Sequence, residues 1–275
     1  MIKDIVVKLV AGNEHNAAAD YAVSLASLFN AHVVGIVFVE NPKVSPNLIA
    51  GIPVELIDAQ HAASKASAKE TANRFEAKAK RAGVATESRI LDIAPGEAGS
   101  TFAHLARRFD LSVLGKGDAN EVARLSIIEA ALFESGRPVI IVPRTHKQGA
   151  KFDRVMVNWD GSRVAARALG DAIPLLAGAK LINVVTISTG TITNAESLGV
   201  DIGQHISRHG LAVEVKHVMV GDIDITSAIL NHAADTSADF MIMGGYGHSR
   251  LREYILGGVT RGMLGAMTVP TLMSN

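Results

Sequence analysis

Glycines and hydroxyl groups, rather than thiols or paired acids, are the residues whose spacing in this chain could do chemistry. The stretch "MGGYGHSRLREYILGGVT", Met243 to Thr260, carries Gly244, Gly245 and Gly247 at one end and Gly257 and Gly258 at the other. Glycine has the most backbone freedom to lose on folding, so its clustering needs a reason. The first cluster follows an apolar run, Phe240 to Met243, that reads as a strand; the second precedes a helical stretch, roughly Val259 to Met267. Ligands of open α/β sheets bind beyond the carboxyl ends of strands, where the connections diverge. There, successive free N–H groups form an anion nest, and a helix starting at Val259 or Thr260 adds unpaired N–H groups and a positive dipole end. The clusters read as two walls of one phosphate cradle. Tight turns and caps with no ligand are the competing explanation.

Other reactive groups point to less. His205 and His209 lie four apart on a predicted helix, which suits two metal ligands, but no third is apparent. His248-Ser249 in "GHSRL" resembles a nucleophile elbow, except that Leu251 stands where the second glycine is required. "LGKGD" lacks P-loop spacing, and no Gly-x-Gly-x-x-Gly follows the first strand of either half. Lys78, Lys80, Arg107 and Arg108 lie among acids on helix faces and read as solvated charges.

The elements that must position the glycines are written twice. "DIVVKLVAGN" from Asp4 parallels "DRVMVNWDGS" from Asp153, and "AHVVGIVFVE" from Ala31 parallels "AKLINVVTIS" from Ala179. "DLSVLGKGD" from Asp110 parallels "DFMIMGGYG" from Asp239, and "RPVIIVPR" from Arg137 parallels "VPTLMSN" from Val269. The order is the same in both halves, as two copies of one domain require. The expected domains are 1–146 and 151–275, joined near "RTHKQGAK". In the first half Val6–Val10, Val33–Val39, Thr86–Leu91, Leu111–Leu114 and Val139–Val142 read as strands of a parallel sheet covered on both faces. "EHNAAADYAVSLASLF", "SKASAKETANRFEAKAKRAG" and "AGSTFAHLARRF" read as the helices between them. Strand–helix alternation gives right-handed crossovers and an open α/β sheet.

Composition narrows the function classes. Lys plus Arg number 27 and Asp plus Glu 27. That balance gives no ground for a nucleic-acid or membrane-surface binder. There is no cysteine, so disulfides and thiolate metal sites are excluded. Lys3, Asp4 and Lys8 break the N-terminal apolar stretch, and no apolar run approaches membrane-spanning length. A soluble, cytoplasmic protein is expected.

The spacing Gly244, two residues, Gly247, nine residues, Gly257 resembles the signature of the universal stress protein family. "WDGS", Trp159 to Ser162, is similar to that family's aspartate turn after its first strand. The element order extends the resemblance over both halves, as in a tandem member. What it implies is a pair of open five-stranded parallel sheets flanked by helices, each with strand order 3-2-1-4-5. The halves would form an intramolecular pseudo-dimer with pseudo-two-fold symmetry through their last strands, near Pro138–Pro143 and Pro270–Met273; a homodimer of chains is the other arrangement. The resemblance implies ATP as ligand, with or without Mg2+. Asp160 would bond the ribose or adenine side, and Val185 or a neighbour would cover the base. Gly244, Gly247, Gly257, Val259 and Thr260 would meet the phosphates through N–H or hydroxyl groups. Gly258 replaces the family's serine or threonine, which removes one hydroxyl donor and keeps the N–H; His248 and Arg250 stand close enough in sequence to compensate. Trp159 is either a packing residue or a stacking platform for the base.

The first half lacks these features. Ala11 stands at the Asp160 position, Asp118 at that of Gly247, and Leu125 and Ser126 at those of Gly257 and Gly258. A carboxylate in a phosphate nest repels the anion, so ATP is expected once per chain. The first half instead gains "NPKVSPNLIAGIPVELIDAQ", Asn41 to Gln60, which reads as an ordered loop leading into a helix or as a lid. The leading function is a nucleotide-binding regulator or sensor in the stress response. The alternatives are an adenylate-handling enzyme with slow ATP hydrolysis and a ligand-free scaffold. At most a weak ATPase is expected, because backbone N–H groups cannot take a proton from an attacking water and His248 is the single candidate base.

Overall fold

The apolar runs become strands and the alanine-rich stretches between them become helices, in two units of similar plan. The computed structural model describes residues 1–13, 15–41, 54–116, 121–188, 195–221, 223–246 and 258–275. Ile2–Arg137 form one compact unit, and Pro138–Asn275 with Met1 form the other.

The first unit runs β1 (Asp4–Lys8), α1 (Ala17–Phe29), β2 (His32–Glu40), α2 (Val54–Arg81), β3 (Thr86–Ile93), α3 (Ala98–Ala106), β4 (Leu111–Lys116) and α4 (Glu121–Glu134). Its strands are parallel in the order β3-β2-β1-β4. The second unit runs β5 (Val139–Pro143), β6 (Arg154–Asn158), α5 (Arg163–Ala172), a short 3-10 turn (Ile173–Leu175), β7 (Leu181–Ser188), α6 (Ala195–Arg208), β8 (Val213–Met219), α7 (Ile225–Asp235), β9 (Phe240–Gly244), α8 (Val259–Ala266) and β10 (Thr271–Ser274). Parallel strands β8-β7-β6-β9-β10 reproduce the expected 3-2-1-4-5 order. β5 then pairs antiparallel with β10, Thr271 opposite Ile141 and Met273 opposite Val139. The last strand of the first repeat thus packs with the second unit, and this pairing covers the β10 edge.

Both repeats start their sheets with the same device. Asp110 Oδ2 accepts from the Lys3 and Asp4 N–H groups at 2.7 and 3.0 Å. Asp239 accepts from the Asp153 and Arg154 N–H groups, each at 3.2 Å. Next to it Asp153 is held below the usual carboxylate range by hydrogen bonds from Lys180 and Lys151. These clamps correct the alignment read from sequence. Asp4 corresponds to Arg154, not Asp153, so Lys8 matches Asn158 and Leu9 matches Trp159.

Three further expectations change. The outer strands β3 and β8 are mostly exposed or half-buried instead of covered on both faces, because each has a single neighbouring strand. Their charged residues, such as Glu87, Arg89 and Lys216, can therefore reach water. α2 begins at Val54, well before Ser64, so residues 54–60 of the segment read as a loop are helical, while 42–53 lie outside the described residues. Finally, the connection from β1 to α1 spans residues 9–16, whereas that from β6 to α5 spans only 159–162.

Candidate functional site

The site is built where β6 lies between β7 and β9, the point at which the strand order reverses direction. β6 ends at Asn158 and the chain turns at once into α5. Gly161 adopts φ +74°, a conformation open to glycine at no steric cost. Asp160 Oδ1 accepts from the Ser162 N–H at 2.9 Å, and Ser162 Oγ accepts from the Ala165 N–H at 3.2 Å as the cap of α5. Asp160 itself is exposed, and one of its oxygens is already held by this turn. Trp159 donates its backbone N–H to the Val185 carbonyl at 2.9 Å. Val185 is 1% exposed, so its side chain is packed away, while its carbonyl marks the β7 wall.

The other wall follows β9. A Cβ on Gly244 would lie 2.6 Å from Val164 Cγ2 and 2.8 Å from the Ala165 nitrogen. The first turn of α5 therefore presses on this glycine, and helix–strand packing alone requires it. Gly245 donates to the Ser274 carbonyl at 2.8 Å, prolonging the pairing with β10. Asn275 Nδ2 donates to the Gly245 carbonyl at 2.8 Å and to that of Tyr246 at 3.3 Å. Tyr246 sits at φ +54°, a sparsely populated conformation for a bulky side chain. Its N–H donates to Thr260 Oγ1 at 3.1 Å. That bond fastens the end of the first glycine cluster to the first turn of α8.

α8 starts after Gly258, which is extended (φ −41°, ψ 145°) and offers no side-chain cap. Val259 and Thr260 are its first two residues, and Thr260 is buried. With no capping side chain, first-turn N–H groups are left for another acceptor. On the far side, Gly262 is held tightly against Thr226 of α7, which fixes the tilt of the helix. The structure thus brings together Trp159, Asp160, Val185, Gly244, Gly258, Val259 and Thr260 around one strand end. Gly247, His248 and Gly257 lie outside the described residues.

Sequence reasoning passed over Asn158 and His217. Asn158 Oδ1 and Trp159 Nε1 are buried with no hydrogen-bond partner among the described residues. A polar residue ending an apolar strand, in "RVMVN", was the available signal. His217 of β8 bonds Thr186 Oγ1 through Nδ1 at 3.0 Å and Ser188 Oγ through Nε2 at 3.1 Å, a cross-strand cluster at the ends of β7 and β8. His205 and His209 stack edge to face with centroids 5.0 Å apart. Among the described residues, no group of three or more His, Cys, Asp or Glu side chains is placed to hold a metal ion.

At the equivalent place in the first unit, Lys8, Val10, Leu114, Gly115, Ile127 and Ile128 line a cavity of about 10 Å³ near the ends of β1 and β4. Space of that size barely admits one water. Leu125 and Ser126 lie inside α4, and Asp118 lies outside the described residues.

Residues 151–275, which carry the whole glycine site, match the model of the Universal stress protein family. This second half of the chain belongs to the universal stress protein family. A related sequence, Universal stress protein Slr1230 of Synechocystis sp., is 26% identical over 174 residues, covering 60% of this chain and 57% of that protein. The match therefore spans little more than half of this relative. Among solved structures, a universal stress protein from Archaeoglobus fulgidus is similar over 99% of this chain and 96% of its own, with TM-score 0.74 and 19% identity. A functionally unknown protein of Pseudomonas aeruginosa, PA1789, is similar over 99% of this chain and 92% of its own, with TM-score 0.62 and 13% identity. At such identities these two speak for the shared fold. No helix among the described residues is long and apolar enough to cross a membrane.

Proposed function

We propose that this universal stress protein binds one adenine nucleotide, ATP, in its second half, and acts as a cytoplasmic regulator or sensor in the stress response through the conformation or partner choice that the nucleotide sets. One observation carries the reading: the Asp160 turn, the loop from Gly244 to Tyr246 and the uncapped start of α8 converge on the reversal point between β6 and β9. Each supplies what a nucleotide needs. Asp160 keeps a free carboxylate oxygen for a hydroxyl, and the helix start offers N–H groups and a positive dipole end to phosphate. Gly247, Gly257 and His248 complete the phosphate side, and Mg2+ accompanies the nucleotide through its phosphates. The residues of 1–146 form a first domain with a degenerate site, and 151–275 the binding domain. Hydrolysis is slow or nil, because the backbone N–H groups that hold the phosphates cannot take a proton from an attacking water.

Titration calorimetry of the purified chain with ATP tests this. One site per chain is expected. Two equal sites, or no heat with any adenine nucleotide, would end the assignment. Rapid multiple turnover lost in His248→Ala would move the protein to the enzymes instead.

A further inference from the structure

Asn158 belongs to neither glycine cluster nor the Asp160 turn, yet it closes β6 at its seam with β9. Its Nδ2 donates to the Ile242 carbonyl at 3.4 Å, which fixes the orientation of the amide. The Oδ1 then faces away from that carbonyl, buried and without a partner among the described residues. Buried acceptors are seldom left unmet in native proteins, so this one needs an explanation.

The internal repeat shows which way it faces. By strand register Lys8 stands where Asn158 does, and Lys8 lines the small cavity of the first unit with Leu114, Gly115, Ile127 and Ile128. Their second-half counterparts are Met243, Gly244, Val259 and Thr260, of which the last three stand among the candidate site residues. The amide also leans towards β9, away from the Val185 wall on β7. An acceptor in that place would repel a phosphate oxygen and suits a hydroxyl donor.

We infer that Asn158 is a specificity-determining residue of the nucleotide site, its Oδ1 accepting a hydrogen bond from an O–H donor carried in with the ligand. The inference rests on the nucleotide reading of the second half. Two sources bring that chemistry, a ribose hydroxyl or a water held by Mg2+ on the phosphates. A serine or threonine in place of Asn158 would supply its own hydroxyl and blur the selection, whereas the fixed amide presents an acceptor alone.

The test uses the full chain and Asn158→Leu, which keeps the volume and removes the amide. ATP binding is titrated with and without Mg2+, then repeated with 2′-deoxy-ATP and 3′-deoxy-ATP. Thermal unfolding without nucleotide is recorded alongside. The expected result is an unliganded melting temperature unchanged or raised, with ATP bound roughly three- to tenfold more weakly. That deficit disappears for the deoxynucleotide lacking the hydroxyl if ribose is the donor, and in Mg2+-free solution if metal-bound water is. Wild-type ATP affinity in Asn158→Leu would overturn the inference, as would an equal deficit with every ligand and condition. Should the leucine variant fail to fold, Asn158→Ala is read by the same comparison. A wild-type chain that binds no nucleotide would remove the reading beneath the inference, a failure visible before any variant is made.

Discussion

The end of β1 beside β4 and the end of β6 beside β9 are the same place in two copies of one fold, yet they are lined differently. In the first copy the buried Ile127 and Ile128 of α4 line, with Lys8 and Leu114, a cavity of about 10 Å³. In the second, the matching positions are Val259 and Thr260, the first turn of α8, preceded by an extended glycine. α4 is already helical at Leu125 and Ser126, which align with Gly257 and Gly258. The strands hardly differ. What differs is where the last helix begins, and whether isoleucines or a glycine-led first turn stand at that place. The approach to the helix after the first strand differs too: residues 159–162 make a tight turn with two interlocked caps, whereas α1 follows β1 only after residues 9–16, with Asn16 accepting from the Ala19 N–H as its cap.

The comparison can be broken most sharply at the phosphate side. Gly247→Val should abolish ATP binding, a loss of more than about a hundredfold, because a branched side chain fills an anion nest. Ala11→Val, in the first copy's turn, should leave affinity unchanged. Calorimetric titration of both variants checks this, and equal losses would mean that the two ends share the nucleotide.

The paired glycines at the ends of β4 and β9 give the next largest effect. Gly244→Ala forces a methyl group into the backbone of α5 and should destabilise the second unit by about 2–3 kcal/mol. Gly115→Ala meets Ala18 Cβ at an ordinary 3.5 Å and should cost less than about 1 kcal/mol. Urea titration followed by the fluorescence of Trp159, the single tryptophan, reports the second unit; circular dichroism reports both. Similar midpoints for the two variants would show that α5 yields.

The strand-start clamps should respond alike. Asp110→Ala and Asp239→Ala each leave two N–H groups without their carboxylate and should cost roughly 1–3 kcal/mol apiece. A large difference between them in thermal unfolding would show that the Lys151 and Lys180 charges around Asp153 carry the second clamp.

The smallest effect is a pH slope confined to the second copy. His232, near the end of α7, is lowered below the usual histidine range by burial, against the opposing pull of Asp235. Ala103 stands at its position in the first copy. As pH falls from 7 through the unfolded value near 6.5, the unfolded chain takes up the proton first, so stability declines until the lower folded value is passed. His232→Gln should flatten this part of the stability profile between pH 7 and 5, measured by urea midpoints. An unchanged slope would place the titration elsewhere.

Much of this was legible in the chain alone. Repetition of apolar runs in the same order was enough for two α/β copies, because strand and helix periods are local properties. The need for glycine at Gly244 was legible too, since close approach of backbone to another group leaves few residue choices. The one-residue slip between the copies was not legible. "DIVV" and "DRVM" align by type, but the Asp110 and Asp239 clamps, over eighty residues away, set the register. The longer α2 was missed because residues 55–60 are mostly exposed and carry no apolar stripe to announce a helix.

By itself, then, the sequence determined the fold class and the doubling, all through patterns within tens of residues. Only tertiary structure decided why Gly244 must be glycine, that Ile127 and Ile128 line the first-unit cavity, that β5 joins the strands of the second unit, and that Asn158 keeps a buried oxygen unmet among the described residues. The physical reason is common to all four. Each depends on which atoms come within contact distance of groups far along the chain, and no local period or composition carries that information.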